Sequence, residues 1–254
     1  MSENESDDCR FEESEVEVIK EGNRAELNGA SGFVDSFEDM NLKPEILCGI
    51  YAYGFKRPSL IHQRVVPPVI NDRNLIARVQ AGVERTTAFV IPIFQKLDIS
   101  AQSTQALIIL PNRFRIRKVQ EVIVGLGNDF MNVVSLAFVG NGDLREQFAK
   151  LREGVHVVIA TPGRIWDLMN RRVLNMDAIK IVCIDELDDI LIHDFKEPLC
   201  EVLERLPKDP VTQLVFFSHT TPTEVLELVY KFMEDPIMVD VKINEIDGDE
   251  ERGD

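Results

Sequence analysis

The loop between residues 79 and 86 has the layout of a phosphate-binding site. It reads Val-Gln-Ala-Gly-Val-Glu-Arg-Thr and lies between an apolar run, residues 74–79, and a second apolar segment, residues 87–94. A strand, a tight loop with a glycine and then a helix would present backbone N–H groups and a helix N-terminus to a bound anion. The loop is therefore a candidate nucleotide site, although its charged residues are unusual for that role.

Further polar groups follow five other apolar runs, each short and rich in Val, Ile and Leu. Such runs are typical of strands buried on both faces, and amphipathic segments lie between them. This alternation predicts an α/β fold, a mostly parallel sheet with helices on both faces. Ligands on such sheets bind at the carboxyl ends of the strands. The polar groups at these ends are residues 111–114, 140–142, 161–164, 185–188 and 218–220.

Composition narrows the class of protein. The 254 residues, 44% of them hydrophobic, are enough for one good-sized core and possibly two. No run approaches the roughly 18 apolar residues of a membrane span, and the N-terminal segment lacks the apolar stretch of a signal peptide. The four cysteines are far apart and form no C-x-x-C pair, which argues against a disulfide framework or a zinc site. We expect no membrane partner, and a reducing cytoplasmic or nuclear compartment.

The net charge of −16 belongs mostly to the two ends of the chain. Residues 1–36 have 11 acidic and 3 basic side chains, and residues 244–254 have 6 acidic and 1 basic. Both ends are polar and lack an apolar repeat, so we predict two disordered acidic tails around one domain, residues 37–243. Two roles are open for these tails: solubility alone, or electrostatic effects, in which they repel nucleic acid or bind a basic partner.

In their order and spacing, these motifs resemble the first RecA-like domain of a DEAD-box RNA helicase, in particular the translation initiation factor 4A family and its exon-junction relative. The resemblance covers residues 37–243 and includes the stretches 37–64, 104–111, 156–164 and 231–237. It implies a single RecA-like (P-loop NTPase) domain, ATP and magnesium as cofactors, and RNA and protein partners in RNA metabolism or translation. Fold alone does not establish activity, which depends on the site.

The resemblance also implies roles for particular residues. For nucleotide binding they are Phe37, Phe55, Pro58, His62, Gly82, Glu84, Arg85 and Thr86. For catalysis they are Asp185 and Glu186, with Thr86 and Asp185 as the magnesium ligands. For RNA binding they are Arg113, Gly140, Thr161, Gly163 and Arg164, and for coupling hydrolysis to unwinding Ser218 and Thr220.

The phosphate loop departs from the family pattern at two positions. Glu84 replaces a glycine, adding a Cβ where a glycine-only conformation is expected and a charge that, about 5 Å from a phosphate, costs on the order of a few kcal/mol. Arg85 replaces a lysine, and its planar fork does not substitute for a compact ammonium. We therefore favour an internal ion pair of Arg85 with Glu84 or Asp185 over phosphate binding.

The adenine and coupling motifs are altered too. His62 replaces a glutamine, and an imidazole has its donor and acceptor on opposite sides of the ring, so it does not reproduce a bidentate grip. Phe37 and Phe55 have two interpretations, base stacking and core packing. Leu187 replaces an alanine beside the retained acids. His219 replaces another alanine, and its bulk is expected to disturb the coupling motif.

The RNA-binding motifs are changed in part. Asn112, Phe114 and Asn141 replace a threonine, a glutamate and a glycine of the family pattern. The residues that remain would contact phosphates and sugars, so binding would be independent of sequence, weak and salt-sensitive. Residues 161–164 have an alternative role, as the start of a helix.

The family's catalytic cycle needs a second RecA-like domain with arginine fingers, worth roughly 10³–10⁵ in rate in related enzymes. After residue 243 this chain shows only an acidic segment, so we expect no complete ATPase site within it. Three hypotheses follow. The first is a catalytically inactive interaction module for a protein or ribonucleoprotein partner. The second is a weak RNA-binding protein, and the third is a residual ATPase completed in trans by a partner.

Overall fold

Among the residues that the structure describes, the sheet contains eight strands, all of them parallel to their neighbours. The computed structural model describes residues 18–19, 34–79, 82–127, 131–140, 144–193 and 195–241. The strands are β1 (Val18–Ile19), β2 (Leu75–Val79), β3 (Ala106–Ile109), β4 (Ser135–Ala137), β5 (Val157–Ala160), β6 (Ile181–Ile184), β7 (Gln213–Ser218) and β8 (Ile237–Val241). Their order across the sheet is β1-β8-β2-β7-β6-β3-β5-β4.

Nine α-helices lie within the described ranges, after a short 3-10 turn at Glu38–Met40. They are α1 (Pro44–Ala52), α2 (Leu60–Ile70), α3 (Val83–Lys96), α4 (Arg113–Gly127), α5 (Leu144–Glu153), α6 (Pro162–Asn170), α7 (Leu187–Ile192), α8 (Lys196–Glu204) and α9 (Thr223–Phe232).

The helices cover both faces of the sheet, as the sequence predicts. Alternate residues of β2 belong to different cores: Leu75 and Ala77 pack with α1 to α4, whereas Ile76 packs with α6 to α9. Successive side chains of a strand point to opposite faces, so the two cores lie on the two sides of one sheet. The close approach of α1 to α4 depends on Gly49, because a Cβ there would lie 2.1 Å from the carbonyl oxygen of Leu126.

The strand order divides the carboxyl edge of the sheet into two groups. β2, β7 and β6 are consecutive neighbours, and in their register Arg78 lies opposite Ser218. β3, β5 and β4 are the next three, with Ile109 opposite Ala160. The phosphate loop therefore lies beside the motifs at 185–188 and 218–220, and the three predicted RNA-binding motifs lie beside one another.

Three features differ from the sequence analysis. β8 was not predicted; its alternate burial, with Met238 and Asp240 partly exposed, is that of a strand near a sheet edge. The third predicted strand, in the apolar run of residues 133–140, is shorter than the run and covers only Ser135–Ala137. Val18–Ile19 fall in the segment predicted as a disordered tail, yet they pair in parallel with β8. The C-terminal tail, residues 244–254, lies outside the described residues.

Two observations bear on location and redox state. In the described part of the chain, no helix combines the length and apolar character needed to cross a bilayer. Cys48, Cys183 and Cys200 are free thiols, and Cys9 lies outside the described ranges.

Candidate functional site

The phosphate-loop helix α3 begins immediately after Gly82. Gly82 is its N-cap residue with an extended backbone, φ −177°, and a Cβ there would meet open space. Glu84 lies in the first turn of α3, half-exposed. A helical backbone suits any L-residue, so the expected conformational strain at Glu84 is absent. Gln80 and Ala81 lie outside the described residues.

Arg85 is turned into the protein and is only 1% exposed. Its Nη2 lies 3.1 Å from Asp185 Oδ1 and 3.0 Å from Glu186 Oε1, and its Nη1 donates to the carbonyl oxygen of Val79 at 3.2 Å. The predicted pairing with Asp185 is confirmed, and Glu186 joins it. The alternative partner, Glu84, is not among the ion-pair partners of Arg85 in the described structure.

A second buried arginine, Arg115, reaches the same two carboxylates. Its Nη2 donates to Asp185 Oδ2, and its Nε lies 3.1 Å from Glu186 Oε1. Arg85, Arg115, Asp185 and Glu186 together form what we call the buried ion-pair cluster. Arg115 was not predicted from the sequence, although it shares the buried face of α4 with Val119. A lone arginine on an otherwise apolar helix face is the signal that would have found it.

The buried ion-pair cluster is neutral overall, with two cations and two anions. Buried charges are tolerated when each is paired and hydrogen-bonded. The pairing here is incomplete, because the buried Nε atoms of Arg85 and Arg115 have no hydrogen-bond partner within the described structure. Arg115 Nε is close to Glu186 but is not aligned for a hydrogen bond.

The cluster does not fit a magnesium ion. Both oxygens of Asp185 accept hydrogen bonds or ion pairs from guanidinium groups, and a cation placed there would face Arg85 and Arg115. Thr86, the other implied magnesium ligand, is buried in the first turn of α3. No group of three or more His, Cys, Asp or Glu side chains in the described residues is arranged to bind a metal.

His62 connects α2 to α3 instead of facing solvent. Its Nδ1 accepts from the N–H and hydroxyl of Ser59, and its Nε2 lies 2.7 Å from Thr87 Oγ1. The Thr87 hydroxyl can donate to the Glu84 carbonyl oxygen at 3.0 Å, so it accepts from Nε2–H and the imidazole is neutral. Burial lowers the pKa of His62 to about 4. Both ring nitrogens are therefore used within the protein.

The aromatic residues of the same region pack on one another. Phe37 is fully buried, with its ring edge-on to those of Phe55 and His62 at 6.4 and 5.5 Å between centroids. The half-buried Phe55 stacks on Tyr53 at 5.8 Å, and Pro58 is buried. For Phe37 the core-packing interpretation is confirmed, since no face of its ring is open to a base.

The coupling motif forms a hydrogen-bonded latch on Asp188. Thr220 donates to this carboxylate from its N–H and its hydroxyl, at 2.9 and 2.8 Å, and His219 donates from its N–H at 3.3 Å. Ser218 Oγ donates to the Thr220 carbonyl oxygen at 2.6 Å. Burial raises the pKa of Asp188, but these hydrogen bonds outweigh burial and hold it below its ordinary value. The latch forms despite the bulk of His219, whose ring lies 3.8 Å from Glu186.

Arg113 and Gly140 lie exposed at the other end of the carboxyl edge. Arg113 begins α4, which Asn112 caps by accepting from the N–H groups of Phe114 and Arg115 at 3.0 and 3.1 Å. Gly140 follows β4 with φ +75°, a conformation that favours glycine. We call the surface formed by the ends of β3, β5 and β4 the open edge.

The Thr161–Arg164 turn completes the open edge and starts α6. The Thr161 carbonyl oxygen accepts from the Arg164 N–H at 3.0 Å, and Pro162 occupies the first helical position. Arg164 is half-buried and lies 3.5 Å from Asp167. A Cβ on Gly163 would make only ordinary contact. The helix-start role of these residues is confirmed, and it leaves an RNA-binding role open.

An all-parallel sheet covered by helices on both faces, with a phosphate-loop position at the carboxyl end of β2, defines a RecA-like domain of the P-loop NTPase class. A family model described as DEAD/DEAH box helicase matches residues 59–229. The chain belongs to the DEAD/DEAH box helicase family.

Curated relatives and solved structures agree. The chain is 45% identical over 213 residues to the ATP-dependent RNA helicase eIF4A of Schizosaccharomyces pombe, covering 84% of this chain and 54% of that protein. The chain is also 45% identical to the ATP-dependent RNA helicase eIF4A of Mycosarcoma maydis, over 84% of this chain and 51% of that protein. A DEAD box protein from Methanococcus jannaschii superposes with a TM-score of 0.78 at 31% identity, covering 84% of this chain and 58% of that one. S. cerevisiae Dbp5 bound to RNA and ADP BeF3 superposes with a TM-score of 0.71 at 31% identity, covering 84% of this chain and 53% of that one. The chain spans about half the length of the curated relatives it matches.

Proposed function

We propose that this chain is a catalytically inactive DEAD-box relative that acts as an interaction module for a protein or ribonucleoprotein partner. Its setting would be RNA metabolism or translation control, in the cytoplasm or nucleus. The buried ion-pair cluster is the observation that supports the proposal. Four charged groups at the nucleotide end of the sheet neutralise one another instead of facing a ligand.

The chemistry of the cluster opposes hydrolysis. Phosphoryl transfer depends on a metal ion that bridges phosphate oxygens and on a group that orients the attacking water. Asp185 and Glu186 stand at the implied positions for these tasks. Arg85 and Arg115 engage both oxygens of Asp185 and Oε1 of Glu186, and a carboxylate engaged by guanidinium groups has fewer lone pairs to offer a metal or a water.

The same contacts favour a binding role. The charges at the phosphate loop are compensated without a nucleotide, so the domain has an internal substitute for the ligand. A protein surface supported in this way can bind partners without a catalytic cycle. Relatives of this fold do assemble with other proteins, as shown by an S. cerevisiae Dbp5 variant bound to Gle1 and IP6, which superposes with a TM-score of 0.74 at 30% identity.

Calorimetry with ATP and ADP in the presence of magnesium tests the proposal directly. For the purified chain we expect neither binding at millimolar nucleotide nor turnover. A matched variant that combines Glu84→Gly, Arg85→Lys and Arg115→Leu replaces the Arg85 guanidinium with an ammonium and removes the Arg115 cation and the loop carboxylate. We expect this variant to bind nucleotide more strongly than the natural sequence. ATP turnover by the natural sequence that is lost in Glu186→Gln would refute catalytic inactivity.

Binding of single-stranded RNA is a second candidate function, and the exposure of Arg113 favours it. Contacts from Arg113 and Arg164 to phosphates would be independent of base sequence. We expect binding at low salt that weakens as salt rises and that Arg113→Ala combined with Arg164→Ala abolishes. Absence of binding at low salt would dismiss this candidate.

A further inference from the structure

Phe114 is an exposed aromatic side chain on the open edge. It lies in the first turn of α4 and is 62% exposed, more than any other aromatic side chain in the described ranges. A single exposed phenylalanine is unremarkable in a protein surface. This one follows Arg113, at a position where the family resemblance implies a glutamate, so an acid beside the RNA-binding arginine has become an apolar ring.

Cations surround the ring. The Lys118 ammonium lies 4.4 Å from the ring centroid of Phe114, a cation–π contact. Arg113 and Arg117 are exposed on the same helix, and the first turn of α4 contains no acid. Apart from the buried Arg115, residues 112–172 contain 9 basic and 6 acidic side chains, a net charge of +3 in a chain of net charge −16. The surroundings of Phe114 therefore attract a polyanion.

The sheet places this ring next to the other RNA-binding positions. The Leu110 N–H donates to the Ala160 carbonyl oxygen at 3.0 Å, so β3 and β5 end side by side. Phe114 is four residues beyond Leu110, and Thr161 directly follows Ala160. An RNA strand that contacts Arg113 and the Thr161 turn would therefore pass the start of α4, where Phe114 is exposed.

We propose that Phe114 is a stacking platform for an unpaired base of single-stranded RNA, with Arg113, Arg117 and Lys118 binding the adjoining phosphates. Aromatic rings in a cationic groove bind single strands in this way, and the contact tolerates any base because every base has a π-face. A base paired within a duplex is covered by its neighbours, so the platform favours single strands. The inference rests on the RNA-binding candidate above and is independent of whether the nucleotide site is active.

Fluorescence anisotropy with labelled oligomers of about 12 nucleotides tests the platform. The probes are oligoadenylate and an abasic ribose-phosphate chain of the same length. We expect Phe114→Ala and Phe114→Leu to weaken oligoadenylate binding by roughly 5- to 100-fold, with little change for the abasic chain, and Phe114→Trp to restore it. Arg113→Ala should weaken both probes and reduce the slope of log K against log salt by about 0.7, whereas Phe114→Ala should leave that slope unchanged.

Tyr230→Ala is the matched control, since Tyr230 is an exposed aromatic residue of α9, outside the open edge. We expect this variant to bind both probes as the natural sequence does. Oligoadenylate binding that is unchanged in Phe114→Ala overturns the platform and leaves the RNA-binding candidate standing. Binding of neither probe at low salt rejects both, without touching the proposal of catalytic inactivity. Equal binding of a polyglutamate of matched length shows a general anion surface and also overturns the platform.

Discussion

The two halves of the carboxyl edge use their arginines in opposite ways. At the ends of β2, β7 and β6, Arg85 and Arg115 are buried and paired with two carboxylates. At the open edge, Arg113 is exposed and Arg164 is half-buried beside Asp167. One half satisfies its own charges, and the other presents cations to solvent.

The difference separates two properties that share one sheet. We call the ends of β2, β7 and β6 the closed half. Its charges are costly to unpair, because removal of one partner leaves the other buried and uncompensated. Charges at the open edge contribute little to folding, since solvent screens them, and they remain free to act on a partner. The proposed loss of nucleotide binding therefore need not remove a binding surface a few strands away.

The largest expected effect comes from breaking the buried ion-pair cluster. Asp185→Asn preserves shape but leaves Arg85 and Arg115 with one carboxylate between them. We expect the free energy of unfolding to fall by about 3–5 kcal/mol, the usual cost of an uncompensated buried charge. Urea unfolding monitored by circular dichroism measures it as a lower midpoint at unchanged slope.

Arg113→Ala is the control from the open edge, and we expect it to change stability by no more than about 0.5 kcal/mol. A loss below about 1 kcal/mol in Asp185→Asn would mean that the cluster is hydrated and weakly coupled. The contrast between the two halves would then fail, and the phosphate loop would again be a candidate for ligand binding.

The sequence predicted the fold well because the signals were local. Six apolar runs marked six parallel strands, each ending at or near a polar motif. β8 was not predicted because Asp240 interrupts its apolar run. Its alternation of buried and partly exposed residues is explained by its position near the sheet edge. β1 could not be predicted from its acidic surroundings, since its two residues pair with a strand more than 200 positions away.

The site was predicted in part. An internal ion pair of Arg85 with Glu84 or Asp185 was predicted, and the structure shows the pair with Asp185. Arg115 was not predicted because it does not directly follow a strand. It reaches Asp185 from the first turn of α4, two residues after Arg113. The hydrogen bonds of His62 could not be predicted from the sequence either. They link Ser59 to Thr87, and the second contact depends on how α2 packs on α3.

Acid should weaken the closed half through His62. Its pKa of about 4 lies below the ordinary value of 6.5, so the fold favours the neutral ring. The corresponding stability is fully present above about pH 6.5 and is lost as the pH falls towards 4, with about 2 kcal/mol lost by pH 5. Carboxylates titrate in the same range, so the measurement is the difference in unfolding free energy between the natural sequence and His62→Gln at pH 7.5 and pH 5.

We expect that difference to shrink by about 2 kcal/mol on acidification, and the exposed His193→Gln to show no such change. A difference that does not vary with pH would place His62 in contact with water. The adenine end of the site would then be more open than its hydrogen bonds to Ser59 and Thr87 indicate.

The smallest effect concerns the latch on Asp188, at the rim of the closed half. Thr220→Val removes the hydroxyl that donates to Asp188 but keeps the shape and the backbone N–H bond. Since Thr220 is exposed, we expect Thr220→Val to lower the free energy of unfolding in urea by about 1 kcal/mol, and Thr220→Ser to recover most of this loss.

The His219 and Thr220 amides should exchange faster with solvent in the valine variant, because a weakened latch opens more often. If instead Thr220→Val is as costly as Asp185→Asn, the latch and the buried ion-pair cluster form one cooperative unit, and the closed half extends to the surface.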